Sequence, residues 1–294
     1  MHCFKRILIA TGFIPIISYF MIDTRWYHIL FFSFILLISL VISFEFRDIL
    51  HHKKLKISPL PLIISHIIII TSFWISVIYP PLSFLPYFSF IAIIFFILVP
   101  QIFKQNFARV VNHTSSFLLL LFYSPFLLGH LVLLKALPHG TYFLTLVIFM
   151  IWANDSFAYF TGVLFGKRWG LKASPNKSWA GVTGGLIFTV ITAFGVNYLF
   201  QHKISFSLLF LKYQFASSFI FNPLWTLLMG FVIGVIVILS DLIESIFKRW
   251  ASVKHSNNFL PGHGGLLDVF DSTLFSGVFF YYFLRILFAC NIIS

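Results

Sequence analysis

Half of the chain's eight carboxylates fall in one stretch, SDLIESIFKRWASVKHSNNFLPGHGGLLDVFDS, from Ser240 to Ser272. Asp241, Glu244, Ser245 and Lys248 stand at i, i+3, i+4 and i+7, a spacing that lays one polar stripe along a helix. Asp268 and Asp271 are one turn apart and follow a Pro-Gly-His-Gly-Gly turn that contains His263, Gly264 and Gly265. Two acidic pairs on neighbouring helices offer a cluster of oxygen ligands. Such a cluster suits a hard cation such as Mg2+, which keeps some of its waters and shares its site with substrate phosphates. Lys248, Arg249 and Lys254 supply positive charge beside it. The plainer alternative is a buried salt bridge, Asp241 or Glu244 with Lys248 or Arg249, that only holds helices together.

A second polar island reads WANDSFAYFTGVLFGKRWGLKASPNKSWAGVTGG. Helical spacing places Asp155 on about the same face as Tyr159, Gly162 and Gly166. A basic loop follows, with Lys167, Arg168, Lys172 and Lys177 around Ser174 and Ser178. Cations and backbone amides leading into a helix can hold several phosphates; the alternative is a loop whose charge only orients the chain in a membrane. Together the islands point to a phosphate-rich cytosolic molecule and a lipid as substrates.

The elements that must position these residues are membrane helices. Of 294 residues 60% are hydrophobic, 41 are Phe and only 10% are charged. Mean hydropathy is +0.98, whereas a soluble globular domain is about one quarter charged. Long apolar runs favour helices of about 20 residues over the short alternating strands of a barrel. Nine spans are expected, near 5–22, 27–46, 60–79, 86–103, 117–136, 141–164, 179–200, 223–247 and 272–292. The fold class is therefore an all-α, polytopic integral membrane protein, read as an N-terminal set of helices over 1–140 and a catalytic region over 141–294. The interrupted apolar stretch 204–221 is expected to form an interfacial or re-entrant helix. Lys5 and Arg6 precede an apolar run as in a signal peptide, but no A-x-A site follows, so that run is kept as the first span. Inside a membrane an ionised carboxylate costs about 2.5–3.5 kcal/mol on insertion scales, so the acids in and beside the later spans must be compensated.

Arg47, Lys53, Lys54, Lys56, Lys104, Arg109, Lys167, Arg168, Lys172, Lys177, Lys248, Arg249 and Lys254 all fall in loops after even-numbered spans. That side is expected to be cytoplasmic, which puts both islands there and both termini outside. The net charge of +12 is then mostly a cytoplasmic rim facing anionic lipid rather than nucleic acid. Cys3 and Cys290 lie at opposite ends and make neither a disulfide framework nor a four-ligand zinc site.

At these residues the chain resembles the phosphatidate cytidylyltransferase (CDP-diacylglycerol synthase) family, multi-span enzymes of the inner membrane that make CDP-diacylglycerol and pyrophosphate from CTP and phosphatidate with Mg2+. Ser245, Lys248, Arg249, Lys254, Pro261, His263, Gly264, Gly265, Asp268 and Asp271 match the family signature in type and spacing. DSFAYFTG, FGK and SPNKSWAG are similar to its earlier acidic helix and Ser-Pro-x-Lys-Thr-Trp loop. The likeness covers roughly residues 150–275. It implies that Asp241 and Asp268 bind the metal, with Glu244 and Asp271 as ligands or their orienters, and it implies Lys248, Arg249, Lys254 and His263 as catalytic contacts to phosphate. It further implies Asp155, Lys167, Ser174, Lys177, Ser178, Ser245, Gly264 and Gly265 as substrate contacts. Mg2+ is the implied cofactor, with a second cation left open. CTP, phosphatidate and membrane lipids are the implied partners, without nucleic acid and with a homodimer left open. His255, Asn257, Val269 and Ala180 stand where the family carries Asp, a small residue, Arg and often Glu. Three alternatives stay open: a divergent paralogue of weak or altered activity; a CTP-dependent polyprenol or phytol-type kinase; and a proton-coupled transporter using Asp155, His66 and His130.

Overall fold

The structure is a computed structural model that describes residues 19–21, 25–103, 107–166, 174–175, 177–201, 222–257 and 264–292. The expected span 5–22 and the stretch 204–221 lie mostly or wholly outside the described residues, as do Lys167 and His263.

Every regular element among the described residues is helical: α1 (Ile29–His51), α2 (Pro59–Ile78), α3 (Leu85–Leu98), α4 (Phe107–Leu121), α5 (Leu127–Ala136), α6 (Gly140–Phe165), α7 (Trp179–Gln201), α8 (Pro223–Trp250) and α9 (Leu266–Ala289). They form eight runs long and apolar enough to cross a membrane, which correspond one to one with the last eight expected spans. The chain is an all-α polytopic membrane protein. Its hydrogen-bonding logic is that of the bilayer, where backbone groups must be satisfied within the span. Proline opens α2 and α3 in their first turns, where its missing N–H costs nothing. Pro125 sits inside the run that joins α4 to α5, and there the helix widens into a π turn, Phe122–Phe126. Within that turn Ser124 Oγ donates to the Ser39 carbonyl of α1 at 2.6 Å.

The chain forms two compact units. One comprises Asp23–Pro138 and Phe247–Phe270; the other comprises His139–Ile246 and Asp271–Ser294. The first unit therefore takes the last turn of α8 and the first turn of α9 together with α1–α5. Its core includes Phe46, Tyr123 and Phe247, whose ring centroids lie 5.0–5.6 Å apart.

In the second unit α6 and α7 pack closely because small residues line their contact. A Cβ at Gly184 would strike Thr161, and one at Gly185 would come within 3.0 Å of the Asn154 carbonyl. Small residues of this kind let membrane helices approach backbone to backbone. Phe157 and Phe188 stack across the same contact. Polar side chains tie the interior: Asn154 Nδ2 donates to Thr189 Oγ1 at 2.9 Å, and Tyr142 donates to Asn197 Oδ1 at 3.3 Å.

Candidate active site

In the second unit α8 and α9 bring Asp241, Glu244 and Asp271 together. One carboxylate oxygen from each lies within 4.8 Å of the others, with Glu244 and Asp271 buried and Asp241 half-buried. Asp241 and Glu244 share a face of α8 because they are one turn apart, and Asp271 faces them from α9. The Asp271 carbonyl accepts a hydrogen bond from Ser240 Oγ, which pins this turn of α9 to α8. Lys177 forms an ion pair with Asp241 and also reaches the Ile238 carbonyl at 3.4 Å. Asp155, on α6, interacts electrostatically with both Asp241 and Lys177. Three carboxylates from two helices, offering only oxygen, are the donor set a hard cation such as Mg2+ takes, so the residues fit the metal that the chemistry asks for.

The loop before α7 has a structural logic of its own. Ser178 is buried, and its Oγ accepts the Gly181 N–H at 3.0 Å, which makes it the N-cap of α7. Gly162 and Gly166 leave room for this hydroxyl, since a Cβ at either would crowd it. The Ser174 carbonyl accepts the Lys177 N–H at 3.2 Å, a turn that sets the lysine just ahead of the helix.

The first unit holds the rest of the signature. Lys248 Nζ donates to Asp268 Oδ1 at 2.8 Å. Asp268 Oδ2 accepts the N–H of Ser256 at 3.1 Å and of Gly265 at 3.0 Å. Asp268 thus reaches back to the residue before α9, as the third residue of a helix does in a capping box. Gly264 has φ +90°, and a Cβ there would collide with Asp268 Oδ2; a Cβ at Gly265 would collide with Ser256 Oγ and Glu45. The two glycines therefore serve different carboxylates. His255 Nδ1 lies 3.7 Å from Asp268 Oδ2 and is half exposed. Arg249 and Lys254 are exposed; Ser245, which belongs to the second unit, is half-buried.

Of the two acids expected to bind metal directly, Asp241 lies in the cluster but Asp268 is engaged by Lys248 and backbone amides, while Glu244 and Asp271, expected as ligands or orienters, complete the cluster. Glu45 belongs with the signature although the sequence reading assigned it no role. Its only sequence signal was being a carboxylate in an apolar helix. His66 and His130, read as members of a proton path, are each tied to the carbonyl four residues back on their own helix, at 2.7 and 2.9 Å.

Fold and site describe a polytopic helical membrane protein with a cluster of three carboxylates that could hold a metal ion. The chain belongs to the cytidylyltransferase family, whose model matches residues 4–287. It is similar to phosphatidate cytidylyltransferases of Haemophilus influenzae, 40% identical over 146 residues that make up 49% of this chain and 46% of that one, and of Bacillus subtilis, 35% identical over 150 residues, 50% and 49%. That of Rickettsia bellii is 30% identical over 167 residues, 56% of this chain and 68% of the relative. The chain spans about half the length of the first two relatives it matches.

Proposed function

We propose that this chain is a phosphatidate cytidylyltransferase, which transfers the cytidylyl group of CTP to phosphatidate at the cytoplasmic face of the inner membrane. A phosphate oxygen of phosphatidate attacks the α-phosphorus of CTP, the bond to the β-phosphate oxygen breaks, and CDP-diacylglycerol and pyrophosphate result. The observation that carries the reading is the Asp241, Glu244 and Asp271 cluster, with Lys177 paired to Asp241, in a membrane chain of this family.

The chemical problem is repulsion between two anions, so the site must neutralise charge and hold attack in line with the departing pyrophosphate. Asp241, Glu244 and Asp271 would hold Mg2+, which would supply positive charge to offset that of the phosphates. Lys177, which pairs with Asp241, is assigned to a phosphate oxygen of the substrate. Lys248, Arg249, Lys254 and His263 are assigned to phosphate by the signature they match, and Lys167, Ser174 and Ser245 to substrate. Asp268 is assigned to hold Lys248 and the turn before α9. No general base is needed, because a phosphate monoester is already anionic near neutral pH. The lipid enters sideways from the bilayer.

Purified in detergent and given labelled CTP, phosphatidate and Mg2+, the protein should form CDP-diacylglycerol and pyrophosphate. CDP with a phosphorylated lipid would replace this reading with that of a kinase. An absence of CTP turnover, in protein shown to be folded, would overturn it.

A further inference from the structure

Glu45 is 2% exposed on α1, whose other buried residues are Phe, Ile, Leu and Ser. It lies 221 residues before Leu266 and yet completes that part of the chain. Its Oε1 accepts the Leu266 N–H at 2.9 Å; its Oε2 accepts the Leu267 N–H at 2.7 Å and the Ser256 hydroxyl at 3.2 Å. Those two amides open α9 and have no acceptor within the helix itself. A carboxylate there also meets the positive end of the helix dipole. Glu45 thus caps α9 from another span, and Gly265 is glycine because the carboxylate and Ser256 fill the space a Cβ would need.

Ser256 is held at both ends, its hydroxyl by Glu45 and its amide by Asp268. With the first two amides of α9 satisfied by Glu45, Asp268 takes the Gly265 amide through Oδ2 and presents Oδ1 to Lys248. Resting on the cytidylyltransferase reading above, we infer that Glu45 is a positioning residue for that reaction. By fixing the start of α9 and Ser256, it sets Asp268 and Lys248 in place for the nucleotide phosphates.

The test is Glu45→Gln in the full-length protein in detergent. The amide is the same shape but turns one acceptor into a donor facing N–H and O–H groups. Hydrogen exchange in peptides covering 264–270 should accelerate about tenfold or more, the scale of a lost charged hydrogen bond, while exchange around the buried Met150 stays as in wild type. The CTP concentration for half-maximal rate should rise by a similar factor, and Glu45→Asp, which keeps both acceptors, should recover part of each effect. A merely structural loss would accelerate exchange throughout and lower kcat without moving KM, and that pattern overturns the inference. So does unchanged protection at 264–270. If Glu45→Gln does not fold, Ser256→Ala removes the hydroxyl contact alone and should shift exchange and KM in the same directions; wild-type values there also overturn it. Should the wild-type chain turn over no CTP, the proposed reaction has failed, and the inference about its positioning residue fails with it. The exchange result then still decides whether Glu45 caps α9.

Discussion

Lys248 and Asp268, 20 residues apart in sequence, meet in an ion pair at 2.8 Å with side chains only 13% and 7% exposed. Both belong to the same signature, yet one neutralises the other. A substrate phosphate that draws Lys248 away must leave Asp268 to its backbone donors, the N–H groups of Ser256 and Gly265. The pair is a resting arrangement in which neither charge is left uncompensated in a membrane protein.

Removing one member should therefore be costly in two ways. Lys248→Met leaves a buried carboxylate without its cation, a loss of about 3–5 kcal/mol for a buried pair. It should lower the thermal unfolding midpoint in detergent and abolish turnover, whereas Lys248→Arg should restore most of the midpoint and only part of the rate. A Lys248→Met protein with wild-type midpoint and wild-type rate would remove the pair from both roles.

The carboxylate cluster behaves differently. Asp241→Asn, Glu244→Gln and Asp271→Asn should each cut turnover by about 100-fold or more, the usual scale for removing a preorganised electrostatic contact, and should raise the Mg2+ concentration needed for half-maximal rate. Stability should change less for Asp241→Asn than for Lys248→Met, because the Lys177–Asp241 side chains are 24% and 31% exposed against 13% and 7% for Lys248 and Asp268. Normal rates across all three variants would sink the assignment of metal to this cluster.

What was legible follows from how far each signal reaches along the chain. Runs of about 20 apolar residues announce membrane helices locally, so the eight described spans appear where hydropathy puts them. The π turn at Pro125 did not, because a proline within an apolar run tells of a lost donor and not of how neighbours will absorb it. One-turn spacing paired Asp241 with Glu244 and Asp268 with Asp271, but spacing is silent on where each side chain finds a partner. Asp268 stands in the first turn of α9, where unpaired amides compete for any carboxylate. Glu45 was beyond reach for a stronger reason: its partners are over two hundred residues away, and nothing on its own helix hints at them.

Ser178 offers a clean separation of cap from substrate contact. As N-cap of α7 it should cost about 0.5–2 kcal/mol when replaced by Ala. If the hydroxyl serves only the Gly181 amide, Ser178→Ala and Ser178→Asp should differ in unfolding midpoint, with KM for CTP the same in both. A KM raised in Ser178→Ala, out of proportion to the midpoint, would give the hydroxyl a place on the substrate as well.

The last prediction concerns His255 and Val269, which stand where the family carries Asp and Arg. His255 Nδ1 is 3.7 Å from Asp268 Oδ2, while Val269 is 40% exposed on the first turn of α9. A carboxylate introduced at 255 would face Asp268 with no new cation, and like charges at such range repel. His255→Asp alone should therefore lower turnover and the unfolding midpoint. Val269→Arg alone adds an exposed cation near a helix N-terminus, where the dipole disfavours it, and should lower both slightly. If the two positions act as a pair, the double variant should recover most of what the single changes lose. If each position works separately on substrate, the effects should add. A double-mutant cycle on turnover decides between these outcomes. The expected result is a favourable coupling between the two new residues, because an Arg at 269 can offset the charge that Asp at 255 brings beside Asp268. Additive gains from each single change would show instead that His255 and Val269 hold the rate down independently.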